Sequence, residues 1–314
     1  MNIEVGIYKD IPLHILQPFR FHAFSPYQGD KLDRLATSIK EHGMMQPPIV
    51  RLNPLDTFEI ISGHNRVEAA KLAGLPIIPV IVRELSDDEA ILLANEANIE
   101  QRSFASWLHV ERAKSIHQYH EAIKRQGNRS DLVADTSGDI SQKSNDYARA
   151  KTADAYGKSA HTIKLYLALY KLIDGLMVRL DRKEFGTTAA QQLSHVSVVG
   201  QNLIETVLTG NSDVCRITVT NAILVRDLLD SYQGNNPDEE TGIMEKVKSI
   251  LTISTESPVI QPAFVSIKME ADDYKRLFPE QQKEEVIEEI IKAVEHYRER
   301  KIISPITKPT GLAS

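Results

Sequence analysis

Cysteine is almost missing from the chain: Cys215 is the only one in 314 residues. An intrachain disulfide, a thiolate zinc cluster and any two-cysteine redox motif are therefore excluded, and a lone thiol in an alternating apolar and polar stretch reads as a small core residue. No apolar run approaches the roughly 20 residues that a bilayer-crossing helix needs. The opening Met1-Asn2-Ile3-Glu4-Val5 has neither the basic start nor the apolar stretch of a secretory leader. These absences predict a cytoplasmic protein with no membrane partner. Positive charge is not in excess either. A net charge of −6 argues against a protein that coats nucleic acid indiscriminately.

What is present is 42% hydrophobic and 25% charged residues, the profile of a globular protein rather than a disordered one, with length for two or three domains. The charge is uneven. From Lys143 to Lys183, nine lysines and arginines stand against four aspartates, a local net of +5, which leaves −11 for the rest of the chain. Any nucleic-acid contact is expected in that central segment.

The patterning predicts an α+β protein: a small mixed α/β domain over 1–126, a linker over 127–146, an all-α domain over 147–232, a second linker over 233–262 and a small strand-and-helix region over 263–314. In the first domain, Leu32 to His42 has helical spacing and stops at Gly43. Short strands are expected around 47–52, 58–61 and 77–82, with helices over 67–72, 87–98 and 107–125. The 127–146 segment is polar and without period, which reads as a linker. The C-terminal region offers a strand over 264–269 and a helix over 280–300 whose apolar stripe suits either its own domain or a dimer seam.

Arg149 to Leu169 carries the strongest local signal. A helix-turn-helix needs a small residue where its helices cross, a residue tolerant of positive φ at the turn, and apolar residues pinning the second helix. Ala153, Gly157, Ile163 and Tyr166 sit at those offsets. Ser159 can cap the second helix, leaving Ser159, Ala160, His161, Lys164 and Leu165 outward for the major groove. Thr162 is placed for base or phosphate, and Lys151, Lys158 and Lys171 for phosphate. The alternative is an ordinary helical hairpin with solvated lysines.

A second constellation lies upstream. Ser62-Gly63-His64-Asn65-Arg66 falls where a strand gives way to a helix, a junction that directs free N–H groups and a positive dipole end outward. Gly63 permits close approach, and Arg66 offers a fork matched to phosphate. About thirty residues on, Glu96-Ala97-Asn98-Ile99-Glu100-Gln101-Arg102 supplies carboxylate and amide oxygens, Glu96 and Asn98 among them, for Mg²⁺, and a further arginine.

With these two motifs and the helix-turn-helix in this order, the chain resembles the ParB family of partition proteins over roughly residues 8–230. The likeness is clearest at Pro18-Phe19-Arg20, Leu35 to Arg51, Phe58 to Leu85 and Asn98 to Arg102. Where the family usually reads Gly-Glu-Arg-Arg this chain has Gly63-His64-Asn65-Arg66, which resembles the mobile-element or plasmid branch. The resemblance implies that CTP and Mg²⁺ bind between the two motifs, with Gly63, Arg66, Asn98 and Arg102 matching site positions, and that binding closes a homodimer into a clamp on double-stranded DNA. Asn65, where a second arginine is usual, implies a weak CTPase at most. Family members commonly recruit a ParA-type ATPase through a basic N-terminal peptide; here no basic residue precedes Lys9.

Other functions weigh less. The same N-terminal fold carries sulfiredoxins, which need a cysteine in the phosphate turn, and free-serine kinases, which would leave the helix-turn-helix unexplained. A transcriptional regulator of a mobile element would need the same DNA contacts as a partition protein.

Overall fold

The computed structural model describes residues 6–54, 56–131, 140–210, 217–230, 232, 234 and 237–252. All of them belong to one compact unit, Met1–Thr255. Cys215 and the strand and helix expected over 264–269 and 280–300 lie outside the described residues.

Three apolar strands, β3 (Ile49–Leu52), β4 (Phe58–Ser62) and β5 (Ile77–Val82), form the middle of a five-stranded sheet of order β1-β5-β3-β4-β2. β3 pairs antiparallel with β4 and parallel with β5, so the chain must cross over between β4 and β5. α2 (His64–Leu72) makes that crossover. Val50, Ile60, Ile78 and Val80 are buried under α1 (Asp30–His42) and α2, which contribute Ala36, Ile39, Val67, Ala69 and Ala70 to the same core. The two edge strands, β1 (Ile7–Pro12) and β2 (Leu16–Pro18), are additions to the expected set. Four of the six β1 residues are exposed, so no one-sided alternation marks it, and β2 is only three residues long.

A second core is helical. Ile61 of β4 meets α3 (Asp87–Gln101) and α4 (His109–Asp131), and the apolar contact continues through α5 (Ile140–Tyr156), α6 (Ala160–Leu169), α7 (Asp174–Asp181), α8 (Thr187–Leu193), α9 (Val198–Gly210) and α10 (Val219–Leu229). α3 starts at a full capping box, Ser86 with Glu89. The sheet domain followed by helices is the α+β class the patterning predicts.

Two segments expected to be linkers are instead partly helical. α4 runs to Asp131 and α5 starts at Ile140, so helix occupies both ends of 127–146. Polar residues cost a helix only a few tenths of a kcal/mol each, and packing of α4 against α5 outweighs that. In the second, α11 (Pro237–Thr252) begins with proline at its first position. It buries Val247 and Leu251, with Ile243, Met244 and Ile250 packed alongside. That spacing is a helical period that the Gly/Asn/Pro/acid-rich start of the segment conceals.

Candidate functional site

The backbone turns at Gly63, between β4 and α2, with φ 97° and ψ 23°. Only glycine adopts this left-handed conformation cheaply. A Cβ there would also stand 2.9 Å from Arg66 Nη2 and 3.0 Å from Pro48 Cβ. His64 therefore opens α2 three residues earlier than the expected start at Val67, and its first turn shares a cavity with Asn98 in the last turn of α3 and with Arg102 just after it.

Gly63, His64, Asn65, Arg66, Asn98 and Arg102 all line one cavity of about 200 Å³. Two motifs thirty residues apart are thus brought face to face. A third wall, not anticipated from sequence, comes from the loop between β2 and α1 through His22, Phe24, Ser25 and Tyr27, joined by Gln46 and Gln101. The signal for it was compositional: Phe19, Phe21, Phe24 and Tyr27 crowd into nine residues of a chain with 6% aromatics.

The polar side chains of the pocket hold these walls together. Asn65 Oδ1 accepts the Tyr27 N–H at 2.9 Å, stapling the loop to α2. Arg66 Nη1 donates to the Gln46 and Pro47 carbonyls, the latter at 3.2 Å, so this guanidinium pins the 46–48 segment as well as lining the cavity. Arg102 lies 5.4 Å from the Tyr27 ring centroid and 5.9 Å from that of Phe24. Asn98 Nδ2 donates to the Ala94 carbonyl at 2.8 Å.

Glu96 is not part of this arrangement. Its carboxylate accepts the Tyr119 hydroxyl of α4 at 3.1 Å, because positions two apart on a helix differ by about 200° in direction. Glu96 and Asn98 are therefore not a ligand pair, and among the described residues no carboxylate lines the pocket. The residues do not fit a protein-held Mg²⁺.

His22 and His64 stack at 3.7 Å between ring centroids, with 19° between planes. His64 Nε2 accepts the Phe19 N–H at 3.4 Å. Burial, and then the neighbouring His22, push the His64 pKa down to about 3. In the unfolded chain the ring titrates near 6.5, so the folded protein refuses a proton that the unfolded chain accepts. The stabilisation is complete above pH 6.5 and is lost as pH falls toward 3. About 2 kcal/mol should be gone by pH 5. Denaturant melts at pH 7 and 5 should show the loss in wild type and a smaller one in His64→Gln; an equal loss in both would assign it elsewhere.

The second candidate surface is the α5-turn-α6 hairpin. Gly157 has φ 57° at the turn, and Ser159 Oγ accepts the Thr162 N–H at 3.2 Å, capping α6. Ile163, Tyr166 and Leu169 are buried. Lys151, Lys158, Ser159, His161 and Lys164 are exposed, while Thr162 is half-buried with its hydroxyl 3.0 Å from that of Ser159. Leu165, expected to face outward, instead packs against the helical core, since it lies four residues before the buried Leu169 and so borders the Ile163, Tyr166, Leu169 stripe. α6 is seated on α4 through Tyr166, whose hydroxyl accepts from Arg112 Nη1 at 2.8 Å and lies 3.1 Å from His109 Nδ1. Lys158 Nζ sits 4.9 Å over the Phe104 ring. Ring contacts run from Phe24 in the pocket through Trp107 and Phe104 to Tyr166.

Residues 2–99 match the family model described as the ParB N-terminal domain. A probable chromosome-partitioning protein ParB of Xylella fastidiosa is 44% identical over 86 residues, covering 27% of this chain and 28% of that protein. One from Vibrio cholerae is 25% identical over 240 residues, covering 76% and 73%. The chain spans well under two thirds of the length of relatives such as the Xylella protein. Among solved structures, a Pnob8-like ParB-N domain superposes with a TM-score of 0.42 at 14% identity over 77% of this chain and 97% of that one. A C-terminally truncated ParB from Caulobacter crescentus complexed to the centromeric parS site gives 0.35 at 19% over 70% and 98%, and one complexed with CTP-gamma-S gives 0.28 at 24% over 63% and 97%. It is the sequence match over the sheet and its first helices that carries the assignment: over residues 2–99 this chain carries a ParB N-terminal domain.

Proposed function

We propose that the protein is a sequence-specific binder of double-stranded DNA of the partition type, in the plasmid or mobile-element branch, acting as a homodimer whose N-terminal pocket takes CTP. The observation that carries this reading is the convergence of Gly63, His64, Asn65, Arg66, Asn98 and Arg102 on one cavity, in a chain that also exposes a basic helix-turn-helix face. At about 200 Å³ the cavity is smaller than the roughly 300–1,000 Å³ of a site for a whole drug-sized ligand. As it stands, it takes the phosphate end of a nucleotide. Magnesium, when present, would arrive on the phosphates rather than on a protein carboxylate. Nucleotide binding closes the dimer on DNA, with hydrolysis slow or absent. The domain division is read as a pocket domain over 1–126 and a DNA-binding domain over 147–232.

Genome-wide occupancy tests the partition role. Signal spreading over kilobases around a site is the expected result; a sharp peak confined to a promoter would identify a transcriptional regulator that uses the same contacts. The exposed His161 at the start of α6 is placed to read a base edge. His161→Ala should therefore lower affinity for the cognate site more than for unrelated duplex, and an equal loss on both would remove that role.

A further inference from the structure

His22 lines the pocket, and its ring makes no hydrogen bond among the described residues. It lies flat on His64, whose Nε2 must stay unprotonated to accept the Phe19 N–H. Of the two stacked rings, His22 is the one that can gain a proton without breaking a bond. The charged groups facing it are few. Arg102, at the end of α3, opposes an imidazolium; Glu111, on α4, favours one. Glu111 is already committed, accepting the Ser25 N–H at 2.9 Å and the Leu108 N–H at 3.0 Å. His64 of α2 is neutral, and Arg66 lines the same cavity. Burial first, and Arg102 second, hold His22 below its ordinary value. A polyanion between Arg66, Arg102 and the first turn of α2 offsets the arginines and reverses that preference.

We propose that His22 is a phosphate-binding residue of this pocket and that it takes up a proton when a polyphosphate enters. The proposal rests on the pocket being a nucleoside triphosphate site. By linkage, affinity rises as pH falls, by at most about tenfold per pH unit while one proton is gained. This makes the His22–His64 stack more than a packing contact: one ring holds the loop, and the other supplies a cation only when there is an anion to meet.

The test is calorimetric titration of the full chain with CTP, and separately with inorganic tripolyphosphate, at roughly pH 6, 7 and 8 in buffers of high and low ionisation enthalpy. Both ligands titrate in this range themselves, so the measured quantity is the difference between wild type and His22→Gln. The expected result is up to one additional proton taken up by wild type, with a steeper gain in affinity toward pH 6. Equal uptake and equal pH dependence in the two proteins would overturn the proposal. If His22→Gln does not fold, the His22 imidazole resonance of wild type decides: it should move to the charged position on saturation at pH 7, and remaining neutral overturns the assignment. Binding without proton uptake defeats this proposal alone, whereas no heat and no resonance shift with either ligand at any pH defeats the nucleotide reading and this proposal together.

Discussion

Replacing Lys158 and Lys164 together by alanine should weaken binding to the cognate duplex by about a hundredfold at moderate salt and lower the slope of log affinity against log salt by about 1.8, near 0.9 for each phosphate contact removed. Both side chains are exposed on the α5-turn-α6 hairpin, and the chain outside 143–183 carries a net −11, so it does not replace their charge. Lys158 adds a second effect. Its ammonium rests 4.9 Å over Phe104, so moving it onto a phosphate exchanges a cation–π contact for an ion pair. A salt series of gel-shift titrations measures both quantities; unchanged affinity with an unchanged slope would show that this hairpin is not the DNA-binding element.

Arg66→Ala and Arg102→Ala should each lower CTP affinity about ten- to a hundredfold, the equivalent of one charge-assisted contact of roughly 1.5–3 kcal/mol. The two substitutions differ in a useful way. Arg66 also holds the Gln46 and Pro47 carbonyls, so its loss should reduce thermal stability as well as affinity. Among the described residues the Arg102 guanidinium makes ring contacts to Tyr27 and Phe24 and no hydrogen bond or ion pair, so its loss should affect affinity with little change in stability. Calorimetry with CTP, Mg²⁺ and cognate DNA, beside thermal melts, separates these. Wild-type affinity in Arg66→Ala would remove its phosphate role, and absence of heat for wild type at millimolar CTP would mark the pocket as vestigial. The wild-type affinity itself should be weak, because Asn65 spends its side-chain oxygen on the Tyr27 N–H and brings no charge to the site.

The α5-turn-α6 hairpin was readable because its determinants are local. Gly157 at positive φ, the Ser159 cap and the Ile163/Tyr166 pair lie within ten residues of one another, and hydrogen bonding and apolar period act at that range. The turn at Gly63 was readable for the same reason: β4, Gly63 and α2 are consecutive. The crowding of aromatics before α1 was equally visible in the residues, but nothing local says that His22 and Tyr27 close the pocket.

That depends on the fold. Tyr27 reaches Asn65 across 38 residues and Phe19 reaches His64 across 45, contacts that exist only once β2 has paired with β4. The place of Glu96 depends on the fold in the same way. A carboxylate beside Asn98 in the chain belongs to a different face of α3, and only the packing of α4 shows that Tyr119 meets it. Length of helix, too, was settled by tertiary contact: the polar residues between 127 and 146 read as linker, yet α4 and α5 extend into that stretch. By itself the sequence determined the central strands, the helices between them, and the turns at Gly63 and Gly157 with the Ser159 cap, because these rest on backbone sterics and short-range periodicity. Only the tertiary structure decided which of those residues share a cavity, since long-range strand pairing and helix packing place them there and local preference does not.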